Sequence, residues 1–164
     1  MPSYYQLPQT QSPGLSIYLM AKLSKKYPLP RFLIGVVPQE KYSRWLSAKA
    51  SAHVRRDKKV RPDITVAEYK VQIHDAVVRC NGKDAYTGEA LDWSLLSKWN
   101  NEKASKEGSR YKKKFALLPS VDHVSERRGP TNFTICTWRT NDAKNDLTVE
   151  EFVQLCGRVI QHMR

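Results

Sequence analysis

The feature that most constrains the fold is a stretch in which two strand patterns are followed directly by a helix pattern. Apolar residues from Phe115 to Val121 predict a strand that delivers Asp122 and His123 at its end. Residues 127–131 contain a Gly-Pro pair and predict a connection, and residues 132–137 predict the return strand. Short strands in a chain with long helical patterns elsewhere indicate an α+β fold.

The N-terminal half of the chain is predicted to be helical. Apolar residues recur at three- and four-residue steps through residues 38–58, which predicts one long helix. Thr65 and Glu68 form a capping box, a pattern that opens helices, and the helix that follows should run to about Cys80.

Two further helices are predicted near the end of the sequence. The first should carry Asn141 and Asn145 on one face, one turn apart. The second begins at another capping box, made by Thr148 and Glu151. We expect this last helix to pack on the rest of the protein through its apolar side chains, which are Phe152, Val153, Leu155, Cys156, Val159 and Ile160.

The formal net charge of +12 points to a polyanionic partner, of which nucleic acid is the commonest. One run of basic residues coincides with the first helix, and a second run precedes the strand pattern. Phosphate contacts by such groups give affinity that falls with salt, whereas the alternative is a solvated basic surface. The candidates for DNA contact are Lys41, Arg44, Lys49, Arg55, Arg56, Lys58, Lys59, Arg61, Lys112, Lys113, Lys114, Arg127 and Arg128.

The cysteines and the hydropathy of the sequence limit the classes of protein to which this chain can belong. The three cysteines are far apart and form no Cys-x-x-Cys pair, so neither a disulfide framework nor a zinc ribbon is indicated. No segment reads as a signal peptide or reaches membrane-spanning length. We therefore expect a cytoplasmic protein with no membrane partner.

The adjacent pair Asp122-His123 suits metal-assisted hydrolysis. A carboxylate supplies a hard oxygen ligand for a divalent cation, and an imidazole can act as a base near neutral pH. The chain continues with Asn132 and with Asn-Asp-Ala-Lys at residues 141–144. In order and spacing, these residues resemble the HNH, or ββα-metal, nuclease motif.

The resemblance implies a role for each residue. His123 would be the general base, Asn132 would brace its loop, and Asn145 lies where colicin-type members place a third metal ligand. The implied catalytic residues are His123, Asn132 and Lys144, and the implied metal ligands are Asp122, Asn141 and Asn145. Arg127 or Arg128 could supply the positive group near the phosphate instead of Lys144.

The resemblance also implies a cofactor. Oxygen ligands suit Mg²⁺ or Mn²⁺ better than Zn²⁺. Many family members hold a structural zinc with two Cys-x-x-Cys pairs, but here the equivalent positions are Asp84, Thr87, Thr137 and Thr140. We therefore expect no structural zinc, with packing by the C-terminal helix and by three tryptophans in its place: Trp93, Trp99 and Trp138.

These observations predict three regions and one leading function. Residues 1–14 would be a flexible arm, residues 15–79 a basic helical region for DNA binding or support, and residues 80–164 an HNH-like nuclease domain. The function would be metal-dependent hydrolysis of DNA, with duplex DNA as the expected partner. The alternatives are a catalytically inactive DNA-binding module of the same fold, an RNase, and a structural protein of a nucleoprotein assembly. A homodimer is left open, because the sequence shows no dimer seam.

Overall fold

The structure, a computed structural model, describes residues 26–124 and 131–164. The predicted arm at residues 1–14 lies outside the described residues, and so do Arg127 and Arg128. The described chain is an α+β protein that is mostly helical, with one two-stranded antiparallel sheet. Its α-helices are α1 (Gln39–Asp57), α2 (Val66–Cys80), α3 (Asn101–Glu107), α4 (Ser109–Lys113), α5 (Trp138–Lys144) and α6 (Val149–Met163). Its strands are β1 (Pro119–His123) and β2 (Phe133–Thr137), and short 3-10 helices occupy Arg31–Leu33 and Trp93–Leu95.

The predicted capping box at the start of α2 is confirmed. The Thr65 hydroxyl accepts the backbone N–H of Glu68, and the Glu68 carboxylate accepts the backbone N–H of Thr65 at 2.8 Å. The helix ends where Asn81 adopts a left-handed conformation, with φ of 45°, ahead of Gly82. Both bonds use donors that a helix start leaves without partners, so the box fixes where α2 begins.

One hydrophobic core joins the N-terminal helices to the sheet. α1 packs on α2, and α2 packs on β2. Full burial of a large apolar side chain stabilises the fold by about 1.5–3 kcal/mol relative to exposure. The core includes Tyr42, Leu46 and Ala50 from α1, Tyr69, Ile73 and Val77 from α2, and Phe133 and Ile135 from β2.

The sheet pairs Asp122 with Thr134 and His123 with Phe133, and α5 begins directly after β2. β1 is shorter than predicted, because it starts at Pro119 and not at Phe115. The Phe115 ring instead lies in an aromatic cluster, 5.1 Å from the Trp99 ring by centroids, and this cluster holds residues 115–118 in a turn.

The expected packing of the C-terminal helix is wrong. No residue of α6 is buried, and Val153, Ile160 and Met163 are 63%, 51% and 78% exposed. The ring of Phe152, in the first turn of α6, stands edge-on to Tyr86. The tryptophans do pack as expected: Trp93 lies in the main core, and Trp99 lies beside Trp138. Within the described ranges, no helix combines the length and apolar character needed to cross a membrane.

Candidate active site

A cavity of about 700 Å³ lies where β1, α5 and the C-terminal end of α1 meet. Five of the residues predicted for the site line it, namely Asp122, His123, Asn141, Lys144 and Asn145. The cavity wall also includes His53 and Arg56 from α1, which the motif does not contain. The structure therefore gathers residues that are far apart in sequence around one space large enough for a phosphate group and its sugar.

Asp122 is buried against two donors. The Tyr86 hydroxyl donates to its Oδ2 at 2.5 Å, and the Nζ of Lys144 lies 3.2 Å from the same oxygen. Both charged groups are withdrawn from solvent, with Asp122 6% and Lys144 2% exposed. Burial and the bond to Asp122 raise the pKa of the Tyr86 hydroxyl, so it remains a donor at neutral pH. Lys144 was predicted as a catalytic basic group; its position is that of a buried counter-ion to Asp122.

His123 faces a second buried carboxylate that comes from outside the motif. Its Nε2 lies 3.6 Å from Oδ2 of Asp57, the last residue of α1. This separation is longer than a direct hydrogen bond, so the contact is electrostatic. The Tyr69 hydroxyl donates to the same Asp57 oxygen at 2.9 Å, and the ring of Phe133 stands edge-on to the imidazole. These contacts fix both the carboxylate and the ring beside the cavity.

The three asparagines of the predicted site have different surroundings. Asn141 is held by the bond that its Nδ2 donates to Ser120 Oγ at 3.1 Å. Asn132 accepts the Val124 N–H through its backbone carbonyl at 2.9 Å, which ties the far side of the connection to the residue after His123. Asn145 is exposed and ends α5 with φ of 52°, so it does not share a helical face with Asn141 as expected.

Hydrogen bonds join the segments around Asp84, Thr87, Thr137 and Thr140, the four positions compared above with zinc-ligand positions. Oδ1 of Asp84 accepts the N–H groups of Tyr86 and Thr87, and Oδ2 accepts the N–H of Thr137 at 2.7 Å. Burial alone would raise the pKa of Asp84, but these donors outweigh it and lower the pKa. The Thr137 hydroxyl in turn accepts the Thr140 N–H at 3.0 Å at the start of α5. This cluster ties the turn that carries Tyr86 to the junction of β2 and α5.

The end of α1 gives the cavity a basic edge. Arg56 contacts the buried imidazole of His53 at 2.9 Å, and that imidazole packs edge-on against Phe133. Lys49 lies two turns earlier on the same face, and burial, with the positive charge of Arg56, lowers its pKa. His53 and Asp57 were not predicted as site residues. The available signal was their spacing: His53 and Asp57 are four positions apart, which places both on the buried face of α1.

The remaining candidates for DNA contact are mostly solvated. Arg61 donates to the Thr131 hydroxyl beside the β1–β2 connection, and Lys114 pairs with Glu107 at 3.3 Å. Lys41 is half-buried. Other exposed members of the set are Arg44, Arg55, Lys58, Lys59, Lys112 and Lys113.

The oxygen atoms of the cavity fit a small divalent cation in part. Both donors to Asp122 meet Oδ2, and its Oδ1 accepts no hydrogen bond from the described residues. The nitrogen of the Asn141 amide is the atom held by Ser120, which turns the amide oxygen away from that contact. One carboxylate oxygen and one amide oxygen, completed by water, suit Mg²⁺ or Mn²⁺. Across residues 26–124 and 131–164, no three His, Cys, Asp or Glu side chains gather as a metal site.

Comparison of the chain with known protein families, with characterised proteins and with solved structures finds no match.

Proposed function

We propose that this chain is a metal-dependent DNA endonuclease of the HNH type, with the β1–β2–α5 segment as its catalytic core. The observation that carries the proposal is that Asp122, His123 and Asn141 line one cavity beside the cations Arg56 and Lys144. A base, oxygen ligands and positive charge are what phosphodiester hydrolysis requires at one place.

His123 takes the proton from the attacking water in this proposal. Asp57 holds the imidazole in place, and its negative charge faces the ring that becomes positive when the proton arrives. Tyr69 keeps Asp57 in position through its hydroxyl. The base is thus supported from α1, which makes the N-terminal helices part of the site.

Asp122 and Asn141 would hold the cation, Mg²⁺ or Mn²⁺. The bound cation would supply positive charge to the phosphate and to the leaving oxygen. Lys144 balances the buried charge of Asp122 from the protein side, so Asp122 keeps its place whether or not a cation is bound. Arg56 lies on the cavity wall, where a phosphate backbone entering the cavity would meet its positive charge.

Cleavage of supercoiled plasmid tests this proposal. The protein is incubated with plasmid in Mg²⁺, in Mn²⁺ and in EDTA, beside the variants His123→Ala and His162→Ala. His162 is exposed on α6 and serves as the matched control. We expect nicked or linear plasmid only with metal, lost in His123→Ala and kept in His162→Ala. A parallel incubation with RNA separates a DNase from an RNase, because the motif contains nothing that reads the 2′-hydroxyl.

The contact between Lys144 and Asp122 favours one second candidate, a DNA-binding module without catalysis. A lysine ammonium satisfies the buried carboxylate without any metal ion. Such a protein would bind DNA with affinity that falls with salt and would be indifferent to EDTA. Intact plasmid under every metal, together with a salt-sensitive gel shift, would decide for it.

A further inference from the structure

The C-terminal helix α6 carries an apolar stripe that the described part of the chain leaves exposed. Five of its residues are spaced alternately by four and three positions: Val149, Val153, Cys156, Ile160 and Met163. This is the heptad spacing by which one helix packs along another. Phe152, Leu155 and Val159 extend the apolar face on one side of the stripe, and the opposite side of the helix carries polar residues such as Gln154 and Arg158. The helix is therefore amphipathic over its 15 residues.

Gly157 lies at the middle of one edge of this stripe. Glycine inside a helix is less favourable than alanine by about 0.5–1 kcal/mol. A side chain at Gly157 would meet nothing within 4 Å among residues 26–124 and 131–164, so no contact there requires the glycine. Small residues allow a second helix to approach closely, and Gly157 suits such an approach.

The charged residues on the same edge of α6 are complementary only when two copies of the helix pair in the antiparallel orientation. Glu150 and Arg164 lie seven positions on either side of Gly157, and both are exposed. Heptad spacing places all three on one side of the helix. Two copies crossing antiparallel at Gly157 bring Glu150 of each copy to Arg164 of the other. A parallel pair would instead set Glu150 against Glu150.

We propose that α6 is a dimerisation helix whose partner is a second copy of this chain, packed antiparallel about Gly157. The charges, the glycine and the apolar spacing all favour a second copy of this chain, whether or not the chain is a nuclease. The first turns of α6 contact Tyr86 through Phe152, and Tyr86 holds Asp122. In a dimer, Phe152, Tyr86 and Asp122 would link the helix interface to the cavity of each copy.

Sedimentation velocity over protein concentrations from about 1 to 200 μM tests the dimer, since a short two-helix interface predicts a dissociation constant near the micromolar range. Val153→Glu and Ile160→Glu place a carboxylate in the stripe and should each raise the dissociation constant at least about tenfold. Gln154→Glu adds the same charge outside the stripe and should leave it within about twofold. Circular dichroism of each variant checks that α6 still forms.

A charge exchange tests the orientation. Glu150→Arg should weaken the dimer, because it sets two positive groups together, and adding Arg164→Glu should restore it. A chain that stays monomeric throughout the concentration range overturns the proposal, and so does equal dimerisation of Val153→Glu and Gln154→Glu. Failure of Arg164→Glu to restore Glu150→Arg overturns the antiparallel arrangement.

Discussion

Replacing Lys144 by methionine tests how the buried negative charge of Asp122 is balanced in the cavity. The change keeps most of the apolar stem and removes the ammonium that lies 3.2 Å from Asp122. At an effective dielectric constant of about 20, two unit charges at this distance interact by about 5 kcal/mol. The Tyr86 hydroxyl still bonds to Asp122 in the variant and offsets part of the loss. Breaking a buried pair from one side commonly destabilises by about 3–5 kcal/mol, and we expect Lys144→Met to fall in that range.

The same variant reports on the metal. Without Lys144, its ammonium no longer balances the Asp122 carboxylate, so Mg²⁺ should bind more tightly than in the wild type. A ligand at about 100 times its dissociation constant stabilises the folded state by about 2.7 kcal/mol. Urea unfolding in EDTA and in Mg²⁺ measures this gain without any need for catalytic activity. We expect Mg²⁺ to restore much of the stability that Lys144→Met loses, and to restore none of it when Asp122→Asn is added.

One control variant and two refuting results make the test decisive. Lys113→Met changes an exposed lysine on α4 and should alter the free energy of unfolding by less than about 0.5 kcal/mol. A loss below about 1 kcal/mol in Lys144→Met would refute the buried pair. An equal effect of Mg²⁺ on the unfolding free energy of wild type, of Lys144→Met and of Lys144→Met with Asp122→Asn would refute Asp122 as a metal ligand.

Three further predictions concern the surroundings of the site. Asp57→Asn should lower kcat by about 10- to 100-fold with little change in KM, since the base loses its support, while Asp63→Asn on the surface should change neither constant. Arg56→Ala should lower the slope of log affinity for duplex DNA against log salt by about 1, measured by fluorescence anisotropy, and an unchanged slope would exclude a phosphate contact. Because the folded pKa of Asp84 lies below its ordinary value of 3.8, its contribution to stability is present above that value and is lost as the pH falls through the folded pKa. The difference in unfolding free energy between wild type and Asp84→Asn should therefore be larger at pH 7 than at pH 3, and equal differences would contradict the assignment.

Local signals in the sequence predicted α1, α2 and α6 well. The capping boxes at Thr65 and at Thr148 need only residues three positions apart, and both form as expected. The strand order and the helix that follows were also predictable, because each depends on a short pattern of apolar residues. The start of β1 was not, since an aromatic cluster of residues distant in sequence keeps Phe115 out of the strand.

The supports of the candidate site could not be predicted from the motif. Asp57 reaches His123 only because α1 and α2 pack beside the sheet, and Tyr86 reaches Asp122 across 36 positions of sequence. Such contacts depend on the tertiary fold, which no spacing rule contains. For the same reason, the amphipathic pattern of α6 predicted an apolar face but not what covers it.

In the proposed function, His123 performs the chemistry on DNA that the rest of the chain binds. Its most direct test is to measure, on one labelled duplex in Mg²⁺, both the single-turnover cleavage rate and the equilibrium affinity of wild type and His123→Ala. If His123 is the general base, the rate falls at least about 100-fold while the affinity stays within about twofold. Cleavage that survives the substitution, or a loss of rate matched by an equal loss of affinity, would contradict it.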